Sequence, residues 1–192
     1  MRACTLRAVV ATAALVAASA ASAADFTVDA KANCACDNGT GAATVSLLAG
    51  QSFSVSVDAN QLWSAGELPR WSNANGLIGE LKATGSDASG QAAGTVIGTS
   101  FGNLDQAGLA APYGALVGQI GGGNFFLVGT SYAGQAANAG LLKLYYWDGG
   151  NFDNVGSITA SVNVSAVPEP GTYALMAGGL ALMGLFARRR NA

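Results

Sequence analysis

Two carboxylates and an amide, Asp148, Asp153 and Asn154, fall within the segment Tyr145-Tyr146-Trp147-Asp148-Gly149-Gly150-Asn151-Phe152-Asp153-Asn154-Val155-Gly156-Ser157. Carboxylates brought close together repel unless a cation or protons intervene, and oxygen donors without His or Cys point to calcium rather than zinc or copper. The spacing of the acids is not that of an EF-hand loop. The chain has no His, and no nucleophile stands beside an obvious base. Asp148 and Asp153 also lie on one short loop, whereas a glycosidase pair must flank the bond it cleaves. A non-enzymatic protein is therefore expected. Cys34 and Cys36 are separated by one residue; in an oxidising compartment they either pair with each other or stay reactive. A metal site there finds no further Cys in the mature domain, and no His, to complete it.

The elements that would position these residues have a period of two. Phe53, Val55 and Val57 alternate with Ser52, Ser54, Ser56 and Asp58, and Ile158, Ala160, Val162 and Val164 alternate with Ser157, Thr159, Ser161 and Asn163. Each stretch predicts a half-buried strand. Thr44–Leu48, Gly114–Ile120, Phe125–Val128 and Leu141–Trp147 are further strand candidates, bounded by turn residues such as Ala49-Gly50 and Gly121-Gly122-Gly123-Asn124. Many short strands with glycine turns predict an all-β protein, a β-sandwich. A strand ending at Asp148 and another starting at Gly156 would bring the acids and the amide to one end of it. Residues 80–110, poor in large apolar side chains, form an insertion expected to run over the surface, with a hairpin around Thr95–Phe101.

Both termini carry addresses. Met1–Arg7 holds two arginines, Val9–Ala18 is apolar and Ala21-Ser22-Ala23 offers small residues to a signal peptidase, so residues 1–23 are expected to be a signal peptide. Cys4 precedes the apolar core and so is not a lipoprotein's lipid-bearing cysteine. At the other end, Val167-Pro168-Glu169-Pro170-Gly171 is followed by an apolar run, Thr172–Ala187, and by Arg188-Arg189-Arg190. This arrangement resembles the PEP-CTERM sorting signal. The resemblance implies export, transient insertion in the inner membrane, and recognition and cleavage by an exosortase through Pro168, Glu169 and Pro170. Residues 167–192 are then a single membrane-spanning sorting segment. Sixteen helical residues reach only about 24 Å of a ~30 Å hydrocarbon core, which the arginines would help to bridge by snorkelling. A permanent C-terminal anchor has the same pattern.

The domain between, residues 24–166, is long enough for one core. It holds ten acidic against four basic residues, which argues against nucleic acid as a partner.

From Thr44 to Val164 the chain resembles the galactophilic calcium-dependent bacterial lectins of the PA-I type. The resemblance is strongest in Ala111–Gly121 and Gly140–Val164, and Gln61-Leu62-Trp63-Ser64-Ala65-Gly66 is similar to the family's first site loop. It implies a sandwich of the galactose-binding, jelly-roll type, with calcium as cofactor and carbohydrate as ligand, an exopolysaccharide or envelope glycan with galactose-like sugars. Asp148, Asp153 and Asn154 match the side-chain ligands, Ala65 a residue donating its carbonyl, and Asn151 or Phe152 a second carbonyl. Five protein oxygens plus two sugar hydroxyls make about seven donors, within the range for Ca²⁺. Where the lectins carry a His and a Gln that touch the sugar, this chain has Ser72-Asn73-Ala74-Asn75-Gly76, leaving Asn75 for the amide contact. Trp63, Trp71 and Trp147 are candidates to stack on a sugar ring, or else fill the core.

Overall fold

The computed structural model of the chain describes residues 22–36, 39–165 and 170–190. The signal-peptide expectation falls almost wholly outside these, as do Pro168 and Glu169.

The compact unit Ala21–Ala166 contains β1 (Ser22–Asp29), β2 (Ala42–Leu47), β3 (Ser52–Val57), β4 (Trp63–Ser64), β5 (Trp71–Ser72), β6 (Leu81–Lys82) and β7 (Val96–Gly98). There follow β8 (Asn103–Gln106), β9 (Leu109–Pro112), β10 (Leu116–Ile120), β11 (Phe125–Leu127), β12 (Ser131–Gln135), β13 (Gly140–Tyr146) and β14 (Ser157–Val164). Two four-stranded antiparallel sheets, ordered β1-β14-β3-β12 and β11-β10-β13-β2, pack face to face as a β-sandwich. The alternation in β3 and β14 buries Phe53, Val55, Val57, Ile158, Ala160 and Val162 against Leu47, Leu116, Ile120, Leu142, Leu144 and Tyr146 of the other sheet. β1 and β12, which the sequence pattern does not mark, complete the first sheet.

The inner strands of the second sheet are buried on both faces. Val117, Tyr145 and Trp147 point away from the main core into a second cluster with Ala111 and Ala115, over which Leu104, Leu109 and Phe125 pack. Leu104 and Leu109 come from the β8–β9 hairpin, so residues 80–110 are not the plain surface excursion the composition predicts. Nor does a hairpin form around Thr95–Phe101: β7 pairs with β6 instead, burying Ala83 and Ile97 against Leu62. Few large side chains suffice because each meets an aromatic or aliphatic partner already in place. The β6–β7 connection is tied by Asp87, whose carboxylate accepts from Thr84 N–H and the Ser89 hydroxyl. Those bonds, the Ser89 hydroxyl first, hold its carboxyl down at about 2.

The β8–β9 turn places Ala107 at φ 48° and Gly108 at φ 80°. Two left-handed residues suit a two-residue hairpin, but Ala is poorly suited to the first position, at a cost of roughly 1–2 kcal/mol. Ala107→Asn is expected to stabilise the exposed turn by about 0.5–1 kcal/mol. Chemical denaturation with an unchanged m-value would show it.

α1 (Pro170–Arg190) is a separate element, with Pro170 at its first position, where a missing N–H costs nothing. No helix among the described residues is long and apolar enough to cross a membrane.

Candidate functional site

The loop after β13 is pinned from two sides. Ser64 of β4 exchanges backbone hydrogen bonds with Val155 (N–H to Val155 O 2.9 Å, Val155 N–H back to Ser64 O 3.1 Å), which carries the Ala65-Gly66 backbone up to Asp153. Gly66 sits at φ 117°, and a Cβ there would lie 2.2 Å from Asp153 Oδ2, so the close approach depends on glycine. From the other side, the turn after β1 contributes Ala30 O and Lys31. Ala30 O accepts from Asn154 Nδ2 at 3.1 Å, and Lys31 O accepts from Asn151 Nδ2 at 3.0 Å. Lys31 Nζ in turn donates to Phe152 O at 3.1 Å. Cys34 and Cys36 pair as a disulfide next to this turn, and buried Cys34 places its sulfur 3.6 Å from the carbonyls of Asp148 and Gly150. Gln106 Nε2 ties Ala35 O (3.3 Å) to Asp148 O (3.2 Å).

These ties gather Asp148, Asn151, Asp153, Asn154 and Ala65 at one rim of the sandwich. Asn154 is only 2% exposed, and while its Nδ2 is satisfied by Ala30 O and Gly150 O, its Oδ1 has no partner. A buried unpaired carbonyl oxygen costs about 1–3 kcal/mol, so its retention calls for something that it accepts from or coordinates. Burial pushes the Asp148 carboxyl above its ordinary value, and the charge of Asp153 adds to the rise. The N–H groups of Gly149 and Gly150 and the Asn154 amide oppose it. Tyr146, buried with an equally unpartnered hydroxyl, is raised well above the usual tyrosine range, by desolvation first and then by both acids. The rim is therefore lined by carboxylate, amide and carbonyl oxygens. All its donors are oxygens, the set that suits a hard cation. Among the described residues no group of three or more His, Cys, Asp or Glu gathers; amide and carbonyl oxygens make up the rest of this set.

Two cations approach it. Arg70 Nη1 lies 3.8 Å from Asp153 Oδ2 and 3.5 Å from Ala65 O, with its guanidinium held 5.2 Å over the Phe101 ring. Lys31 engages the Phe152 carbonyl, which leaves the Asn151 carbonyl as the uncommitted member of that pair. Neither Arg70 nor Lys31 was marked by the sequence pattern, because both are distant along the chain from the acids.

The aromatic expectations need correction. Trp63 and Trp147 are both 0% exposed. Trp63 donates its indole N–H to Gly114 O (2.9 Å) and stands edge-on to Tyr146, while Trp147 donates to Leu104 O (3.1 Å). Each indole finds its polar partner inside, so neither face is open to a sugar. Asn75 is also spent on structure: its Oδ1 accepts from the Thr130 N–H at 2.9 Å and hydroxyl at 3.2 Å. It borders a separate cavity of about 160 Å³ with Trp71, Asn73 and Glu80, which no residue of the acidic loop lines. The ring that does project from the acidic loop is Phe152, 82% exposed. Its place between Asn151 and Asp153 is legible in the sequence, but its exposure is not.

Residues 166–190 match the PEP-CTERM protein-sorting motif, so the C-terminus of this chain carries that sorting motif. The chain is also similar to a solved structure of the EclA N-terminal domain, a PllA-like lectin, at 21% identity and a TM-score of 0.45, covering 74% of this chain and 95% of that one. No curated protein matches it.

Proposed function

We propose that this chain is an exported cell-envelope or extracellular-matrix protein whose sandwich is a calcium-assisted carbohydrate-binding module, associated with exopolysaccharide. The observation that carries the reading is the buried, unpartnered Asn154 Oδ1 beside Asp148 and Asp153. Calcium would be held by the Asp148, Asp153 and Asn154 side chains with the Ala65 and Asn151 carbonyls, and it would offer its remaining positions to sugar hydroxyls. Phe152, rather than a tryptophan, is the exposed ring on which a sugar's apolar face would rest. No residue is assigned a catalytic role. The sorting motif favours handling by an exosortase after signal-peptidase cleavage, with delivery to the envelope or beyond. A glycan array probed with the full chain in calcium and again in EDTA tests the module. Calcium-dependent retention is expected, and retention indifferent to EDTA, or none, overturns it.

A second reading is a structural matrix protein that keeps the sandwich without specific sugar binding. Arg70 favours it, since its guanidinium already sits at Asp153 and Ala65. The two readings differ on Arg70→Gln. If calcium competes with Arg70, the variant should bind calcium roughly 5–10-fold more tightly at low salt, with stability changed by less than about 1 kcal/mol because the pair is only half-buried and long at 3.8 Å. Isothermal titration on both proteins measures it; an unchanged affinity would mean that Arg70 does not guard the ion position.

A further inference from the structure

We propose that the open edge of the sandwich holds a second saccharide site, one that takes a single neutral sugar ring without a metal. β11 and β12 are the edge strands of the two sheets, and between them opens a cavity of about 230 Å³. Phe125, Phe126 and Tyr132 line it together with Asn124, Gln135 and Asn138. Two rings are fixed there: Phe126 lies 4.9 Å from Tyr132 and both pack on Phe53 behind them, whereas the Phe125 ring turns to the other face of its sheet, onto Tyr145 and Trp147. All three are only partly buried. The carboxamides come from the β10–β11 turn, the end of β12 and the β12–β13 turn, and among the described residues none of the three has a hydrogen-bond partner within the protein.

The chemistry of this lining selects its ligand. It contains no Asp, Glu, Lys or Arg, so an ion gains no pairing there. Fixed rings match the C–H face of a pyranose, and carboxamides that both donate and accept match hydroxyls that do the same. An apolar ligand would leave the amides unused. The volume lies below the ~300–1,000 Å³ of sites for drug-sized ligands, which fits one ring at a chain end or branch.

The cavity stands at the opposite end of the second sheet from the acidic loop. Ile120, which borders it, pairs with Leu142 near the start of β13, and Asp148 follows the end of that strand. The two places share no residue, so this inference does not rest on the calcium reading. Together they would let one domain bridge two glycan chains.

Saturation-transfer NMR on the full chain in EDTA, with a panel of neutral hexoses and disaccharides, tests it. Wild type and Asp148→Asn should both show saturable binding, and Asn124→Ala/Gln135→Ala/Asn138→Ala should weaken it at least tenfold. Gln135→Arg, a single change at an exposed position that fills the cavity, should do the same with an unchanged melting temperature. The proposal fails if wild type binds no sugar of the panel in EDTA, or if folded Gln135→Arg binds as wild type does.

Discussion

Replacing Asp148 with Asn is expected to lower calcium affinity by roughly 100-fold while making the calcium-free chain more stable at neutral pH. The first follows from the loss of a charged oxygen ligand, the second from burial, which holds the Asp148 carboxyl above the ordinary value of an aspartate. A carboxyl whose folded pKa is raised holds its proton more tightly in the folded state. Its contribution to stability is fully present below the unfolded value and is lost as pH rises through the folded one. Above that range the ionised, uncompensated group opposes folding, and Asn, which cannot ionise, does not. The same carboxylate becomes an asset once a cation lies against it. Calcium at a hundred times its dissociation constant should therefore stabilise the wild-type chain by about 2.7 kcal/mol and the variant hardly at all. Calorimetric titration at pH 7 and melting curves from pH 4 to pH 8, with and without EDTA, measure both arms. Undiminished calcium binding in the variant would reject the ligand assignment, and an apo variant less stable than wild type would reject the electrostatic account of Asp148.

The second large effect is expected in the sorting segment. Changing Pro168, Glu169 and Pro170 together to Ala should leave nearly all of the chain as an uncut precursor in the membrane fraction. Proline fixes φ and disfavours helix in the residue before it, so a peptide with this sequence prefers an extended to a helical backbone. Alanine is the best helix former, and three of them would favour helix through these positions. A peptide wound into helix is a poor substrate for a protease that needs it extended. Pulse-chase labelling with fractionation reads the outcome directly. Processing at the wild-type rate would show that the motif is not what the protease reads.

How far the sequence foretold this molecule varied with how one-sided each burial pattern is. β3 and β14 show clean alternation because each has one face on the main core, so Val55 and Ile158 stood out at once. β12, Ser131-Tyr132-Ala133-Gly134-Gln135, has one large apolar side chain and sits at a sheet edge, where little burial is required of it. β1 begins at Ser22, inside the stretch that reads as signal-peptide cleavage site, and that overlap masked the alternation of Phe26 and Val28. The contribution of residues 80–110 was illegible because Ile97, Leu104 and Leu109 are too sparse to make a period. They matter through partners, Leu62 and Trp147, that only the fold brings near. At the acidic rim, local spacing revealed Asp148, Asp153 and Asn154. It could not reveal that Trp147 turns inward to Leu104, or that Arg70 is delivered to Asp153 by the strand pairing of Ser64 with Trp71.

β14 runs between β1 and β3, from Ser157 just beyond the acidic loop to Val164, after which the chain continues toward its sorting segment. Traction applied at Asp153 or Asn154, with the chain held beyond Val164, would therefore travel along the backbone of a single strand over roughly 26 Å. Covalent bonds carry that load from end to end, and the ladders on either side are spared from shearing. A mechanical linkage of this kind can be pulled upon without the rest of the domain having to come apart.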